Sequence, residues 1–309
     1  MTGILITGGA GTVGRALAQA LPSQDVLVTD LTRGCLPEHL AFQRMDVTSG
    51  DPDTIIGKVR PDVVVHLASI VTPPQAMTRE EAFAVDVTGT RNVLDACLKF
   101  GVRRLVVTSS GAAYGYHPDN PVPLTEDAPC RGNPEFAYAD HKRQVEEMLA
   151  TARQEKPELE QVVLRIGTVL GAGTDNQITA LFRRKRLLAI KGSDSPFVFI
   201  WTRDLARIVL RAATDGPAGI FNVAGDGWLS IDELAKALDK PILRLPAWAV
   251  KAALAVAHPL GMSQYGPEQV RFLQYRPVLD NDRLKRIFGY TPELSSAEVF
   301  ELWRREAEG

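Results

Sequence analysis

Short apolar runs and longer amphipathic stretches take turns along the first half of this chain. Ile4-Leu5-Ile6 is the first such run, and residues 25–30, 41–45, 62–67, 104–108 and 161–165 follow it. These runs are rich in β-branched residues and apolar on both faces, as strands of a parallel sheet covered on both sides must be. Between them apolar positions recur at helical spacing, most clearly over 80–100 and 139–154. Strand and helix in alternation predict an α/β fold, a doubly wound parallel sheet.

From about Gly171 the rhythm changes. A basic stretch, Arg183-Arg184-Lys185-Arg186, falls in a predicted helix and reads as its solvated face. A strand-like run at 197–200, a helix over 203–213 and a strand at 220–223 come next. Beyond Gly227 the pattern is mostly helical, with Pro246, Pro267 and Pro292 near helix starts. No internal repeat and no low-complexity linker separates the halves. Residues 1–170, with a returning segment at about 197–225, are therefore expected to form the sheet domain, and 171–196 with 226–309 a smaller, mostly helical lobe. The apolar stretch 245–260 is broken by Lys251 and His258 and is too short to span a bilayer, which predicts a buried or substrate-covering helix.

Composition narrows the function classes. The 309 residues are 45% apolar and 23% charged, ordinary for a globular protein. A net charge of −2 offers no electrostatic reason to expect nucleic acid or an anionic membrane as partner, and a small-molecule substrate is expected. Cys35, Cys97 and Cys130 form no C-x-x-C pair and fit a reducing, cytoplasmic setting. With the first predicted strand at Ile4, no signal peptide is expected.

The first strand runs into Thr7-Gly8-Gly9-Ala10-Gly11-Thr12-Val13-Gly14, and a helical pattern follows. Strand, glycine-rich turn and helix together hold a dinucleotide pyrophosphate. Gly8 permits the tight turn, Gly11 lets backbone N–H groups approach the phosphates, and Gly14 lets the helix pack closely; the helix N-terminus, with Thr12 and Val13, faces the anion. Asp30 closes the second strand, placed to accept hydrogen bonds from both ribose hydroxyls and to repel a 2′-phosphate. That favours NAD over NADP. Arg15 and Arg33 are the cations able to reverse the preference.

A second constellation follows the fifth strand. Ser109-Ser110 is succeeded downstream by Tyr138-Ala139-Asp140-His141-Lys142. Residues four apart on a helix share a face, about 5–6 Å apart at Cβ. A free phenol titrates near pH ~10, and a neighbouring ammonium lowers that value. Tyr138 is thereby a candidate acid/base, Lys142 its modulator and Ser110 a hydrogen-bond partner of the same substrate oxygen. Alone, Tyr-x-x-x-Lys marks a solvated helix face; beside a dinucleotide loop it acquires meaning.

At these residues the chain resembles the extended short-chain dehydrogenase/reductase family, which includes nucleotide-sugar epimerases and dehydratases. The likeness runs through the glycine loop, Met45-Asp46-Val47, His66-Leu67-Ala68, 85–94, 108–115, 138–142, Leu164-Arg165 and Asn222-Val223-Ala224-Gly225. It implies a Rossmann domain, NAD or NADP as cofactor, and Ser110, Tyr138 and Lys142 as the catalytic set, with Tyr138 and Lys142 also cofactor-binding and Lys142 holding the nicotinamide ribose. It further implies that Asp46 and Val47 flank the adenine, that His66, Leu67 and Ala68 line the adenosine side, and that two chains pair as a homodimer through the helices at 80–100 and 138–154. His66 receives no catalytic role.

Departures from the family pattern bear on the reaction. Asp86 stands where many relatives have asparagine, and an ionised carboxylate cannot donate in a water relay. Gly111 and Ala112 stand where sugar dehydratases carry Asp-Glu, which argues against elimination of water. Thr168 replaces the asparagine of the nucleotide anchor, and the late Arg-Gly-Asp-like signature is missing, leaving Arg183, Arg184, Arg186, Arg203 or Arg276 as substitutes. Trp228, Trp248, Tyr265 and Phe272 either cover an apolar substrate or fill a small-lobe core. The expectation is an oxidoreductase transferring hydride at a carbinol or carbonyl carbon. A nucleotide-sugar epimerase is the alternative, and a non-catalytic NAD(P)-binding sensor the second.

Overall fold

The structure, a computed structural model, describes residues 3–20, 25–74, 76–174, 176–263 and 266–308. Its strands are β1 (Ile4–Thr7), β2 (Val26–Asp30), β3 (Ala41–Arg44), β4 (Val63–His66), β5 (Arg104–Ser110), β6 (Glu160–Ile166), β7 (Thr168–Leu170), β8 (Leu187–Ile190), β9 (Phe199–Trp201), β10 (Gly219–Val223) and β11 (Ile242–Leu245). Seven of them form one parallel sheet in the order β10-β6-β5-β4-β1-β2-β3. Short separate pairs, β7 with β9 and β8 with β11, flank it.

The helices are α1 (Thr12–Ala20), α2 (Asp51–Val59), α3 (Arg79–Phe83), α4 (Gly89–Phe100), α5 (Ala137–Glu155), α6 (Gln177–Phe182), α7 (Thr202–Ala213), α8 (Ile231–Ala237), α9 (Ala247–Ala257), α10 (Gln269–Gln274), α11 (Asp282–Arg286) and α12 (Ser296–Glu308). No helix among the described residues is long and apolar enough to cross a membrane.

Side chains alternate faces along each strand, which divides the sheet's residues between two cores. Ile6, Val28 and Val65 pack with Leu17 of α1 and Leu205 and Ile208 of α7. Leu5, Val64 and Leu105 pack on the other face with Ile56 of α2, Val93 of α4 and Leu149 of α5. A third core fills the C-terminal lobe, where Phe182 meets the rings of Phe197, Phe199, Phe300 and Trp303 at 5.5–6.2 Å. Strand β1 pairs with β2 on one side and β4 on the other, so the chain leaves it in opposite directions and a crevice opens at the carboxyl ends.

Four expectations change. The helix read over 80–100 is interrupted by a π turn at Ala84–Thr88, which turns Asp86 inward to 2% exposure. The basic run at 183–186 is not helical: α6 stops at Phe182, and the four side chains stand exposed before β8. The lobe contains the β8–β11 pair, whose four-residue strands were hidden in a pattern read as helical. Finally, α9 is neither buried nor a cover. It anchors through Val250 and Leu254, while Trp248 is 74% exposed.

Candidate active site

A cavity of about 450 Å³ lies over the carboxyl ends of β1, β4, β5 and β6, and its walls include Gly8, Gly11, Thr12, Val13, Gly14, Leu67, Ser110, Tyr138 and Lys142. At the β1 end the backbone leaves no room for side chains. Gly8 adopts φ +67°, and a Cβ there would lie 2.5 Å from the Ala68 nitrogen. A Cβ on Gly14 would lie 2.3 Å from the Gly9 carbonyl oxygen. The turn thus presents bare backbone and the start of α1 to the cavity.

The remaining cofactor candidates, Asp30, Asp46, Val47 and Ala68, are not part of the cavity wall. Asp30 accepts from the N–H of Ala10 at 2.9 Å and of Leu31 at 2.7 Å, which fixes its carboxylate beside the glycine turn. Arg33 Nη2 donates to the carbonyls of Pro37, Glu38 and Leu40, and Arg15 Nη1 to that of Ala10. Asp46 accepts from the Thr48 hydroxyl and N–H, and these bonds hold its carboxyl below the usual range. Val47 is buried, and its carbonyl accepts from Asn92. Ala68 supplies backbone against Gly8. His66 is locked between the Thr7 and Thr90 hydroxyls at 2.7 and 3.0 Å, and burial pushes it down to about 3, a neutral packing residue.

Strand alternation separates the two serines at the end of β5. Ser109 is buried and donates to Glu146 at 2.7 Å, whereas Ser110 faces the cavity, its hydroxyl accepting from the Ala112 N–H at 3.1 Å. Tyr138 and Lys142 project from the first turns of α5. The Lys142 ammonium donates to the Thr108 carbonyl at 3.0 Å and stands 5.7 Å from the centre of the Tyr138 ring.

Burial lowers the Lys142 pKa, and the charges of Asp86 and Glu146 oppose that. Burial also raises the Tyr138 phenol, with the Ser110 hydroxyl working against it and Asp86 adding to it. Within the chain itself burial thus outweighs the groups that favour the phenolate. At Gly111, Leu279 occupies the space a side chain would need, and Ala112 is buried, so no acid stands at the place dehydratases use.

Beneath the serines, Arg165 makes a two-pronged pair with Glu146 at 2.9 and 3.0 Å and donates to the Tyr114 hydroxyl and the Glu126 carbonyl. Both charges are nearly sealed from water. Removing one partner of such a pair leaves the other uncompensated. Glu146→Gln is therefore expected to lower unfolding free energy by about 3–5 kcal/mol in a urea titration.

The opposite wall contains residues that no local pattern exposes. The rings of Tyr116, Phe136 and Phe272 meet at 5.4–6.2 Å beside the catalytic candidates. Arg276 lies over Phe197, 3.8 Å from the ring centre, and 5.1 Å from that of Phe272. Its Nη1 donates to the Ser195 carbonyl at 2.9 Å, its Nε is buried without a partner, and no ion pair among the described residues includes it. Burial pulls it down to about 9, so it remains a cation at neutral pH.

Of the five arginines the sequence offered as an anchor, Arg276 lines the cavity; Arg183, Arg184, Arg186 and Arg203 do not. Of the aromatic candidates, Phe272 lines it, Trp228 and Trp248 do not, and Tyr265 lies outside the described residues. Sequence reasoning gave Tyr116, Phe136 and Phe197 no place in the site, since they come together there from three separate segments.

Comparison with known proteins agrees with this architecture. The UDP-glucose 4-epimerase of Azospirillum brasilense is 32% identical over 214 residues, 62% of this chain and 60% of that protein. The UDP-glucose 4-epimerase of Thermotoga maritima, solved with UDP-glucose, superposes with a TM-score of 0.76 at 21% identity, covering 99% of this chain and 98% of that one. The Thermus thermophilus enzyme of the same name, solved with NAD, gives 0.73 at 24% identity over 99% of both chains. The sequence profile of the NAD dependent epimerase/dehydratase family matches residues 4–224, and the chain belongs to that family.

Proposed function

We propose that this protein is an NAD-dependent epimerase of a nucleotide-diphosphate sugar, moving hydride to and from a carbinol carbon of the sugar. Arg276 carries the reading. A buried guanidinium with no carboxylate partner is costly unless an anion completes it, and it faces the same cavity as Ser110, Tyr138 and Lys142. A diphosphate is such an anion. From sequence alone the missing anchor signature placed net oxidoreduction first; this arginine reverses the order.

The residues at the β1 end fit NAD. Gly8 and Gly14 leave backbone where a Cβ would clash, and α1 points its free N–H groups into the cavity. Asp30 stands beside that turn and suits a ribose diol. The two nearby arginines hydrogen-bond backbone carbonyls, which weakens the case for a 2′-phosphate. Calorimetry is expected to show tighter binding of NAD than of NADP, and the reverse ranking overturns this assignment.

When bound, NAD supplies the hydride acceptor and a positively charged ring. Ser110 holds the substrate hydroxyl, and Tyr138 takes its proton as the carbon is oxidised and returns it as the carbon is reduced. Lys142 supplies the positive charge that favours the phenolate. Epimerisation further requires the sugar to turn while its diphosphate stays fixed, which is the part assigned to Arg276. A module that only sensed NAD would need none of these four side chains around one cavity.

The aromatic wall of Tyr116, Phe136 and Phe272 favours a second reading, net oxidation or reduction of an anionic substrate with an apolar face. Incubation with UDP-glucose and NAD separates the two. Conversion of the sugar without build-up of reduced nicotinamide supports the epimerase, and stoichiometric reduced nicotinamide supports the oxidoreductase. Pairing of two chains through α4 and α5 belongs to the proposal as well, and sedimentation is expected to show a dimer.

A further inference from the structure

One buried carboxylate joins three parts of the site without lining the cavity. Asp86 Oδ1 accepts from the Ser69 hydroxyl and the Ile70 N–H, both at 2.8 Å, and Oδ2 lies 3.0 Å from His141 Nδ1. Ser69 is part of the cavity wall, and His141 immediately precedes Lys142 on α5. The far nitrogen of His141 is buried and unpartnered, beside the Phe83 ring at 5.5 Å.

The surroundings make the Asp86 charge count. Burial pushes the Asp86 carboxyl up, but the bonds from His141, Ile70 and Ser69 and the Lys142 charge outweigh it and hold it below the usual range. From α5 it is faced by His141, Lys142 and the Tyr138 phenol; from β4 by neutral His66. Helix α3 contributes Phe83, and α4 contributes Thr90, whose hydroxyl donates to the Asp86 carbonyl. Glu146 also acts on Lys142, but it is paired with Arg165. No lysine or arginine is paired with Asp86 among the described residues. Its negative charge therefore falls on Lys142 and Tyr138.

We infer that Asp86 is an electrostatic positioning residue: its buried carboxylate sets a negative charge behind the α5 turn that bears Tyr138 and Lys142, while its hydrogen bonds hold the Ser69 wall against that helix. The inference rests on the reading of Tyr138 and Lys142 as the proton-handling pair. A neutral residue at 86 makes both protons easier to lose, so both move to lower pH. The two are coupled and titrate as a pair.

The direct test is the pH titration of tyrosinate absorbance with NAD saturating, taken as the difference between a protein and its own Y138F version. In D86N this titration is expected to fall by about one pH unit or more, the size of one nearby charge. Both limbs of the pH profile of kcat/KM should shift down with it. The double variant D86N/H141Q, whose side-chain amides can pair with each other, keeps the connection without the charge and must show the same shift should D86N alone fail to fold. A titration unmoved in the neutral variant, with stability or activity lost, would mean that Asp86 is only a structural tie. The absorbance reports Tyr138 whether or not turnover depends on it. If Y138F kept full turnover, the catalytic reading would fail while the charge effect remained measurable.

Discussion

Tyr138→Phe is expected to lower turnover by about 10²–10⁴-fold while leaving NAD affinity within error of the parent, because general acid–base catalysis contributes on that order. The substitution deletes one hydroxyl and keeps the ring that packs with Phe136 and Phe272, so a fall in stability is not the explanation to expect. The direction of the pH dependence follows from burial. The phenol is raised above its ordinary range, so the fraction able to accept a proton grows as pH rises toward the range where Lys142, lowered by burial, gives up its charge. Oxidation of the carbinol should therefore speed up with pH and then decline. Parallel kinetics and cofactor titrations on the two proteins check this, and unchanged turnover in Y138F would remove Tyr138 from the mechanism.

Arg276→Met is expected to separate binding from stability. Methionine keeps an unbranched stem between Phe197 and Phe272 and removes the charge. A hydrogen bond to a charged group contributes about 1.5–3 kcal/mol, so affinity for a UDP-sugar should fall roughly ten- to a hundred-fold. Folding should be unharmed or improved, since a buried cation without a carboxylate partner is replaced by an apolar side chain. Glu146→Gln is the contrast, because there the loss falls on the fold. If R276M bound a UDP-sugar as tightly as the parent, Arg276 would not be the anchor.

The sheet was legible because burial on both faces forces uninterrupted β-branched runs such as Val63-Val64-Val65. The glycine turn and the Tyr138–Lys142 pair were legible as parts of one cavity because their spacing is local, and Ser110 because it ends a strand of the same sheet. What escaped depends on contacts between distant segments. The π turn at Ala84–Thr88 has no signature in apolar spacing; it serves Asp86, whose partners come from the segment after β4 and from α5. The β8–β11 pair was missed because strands of four residues carry too few positions to set a period. Arg276 was one of five arginines until its packing against Phe197 and Phe272 and its bond to Ser195 placed it in the cavity wall.

The proposed reaction returns the hydride to the same substrate. Purified protein with NAD and UDP-glucose, followed at once by sugar analysis and by the absorbance of reduced nicotinamide, measures that return. The expected result is a second UDP-hexose that differs at one carbinol centre, formed over many turnovers with no more than an enzyme-equivalent of reduced cofactor. Reduced nicotinamide accumulating in step with an oxidised sugar would contradict it.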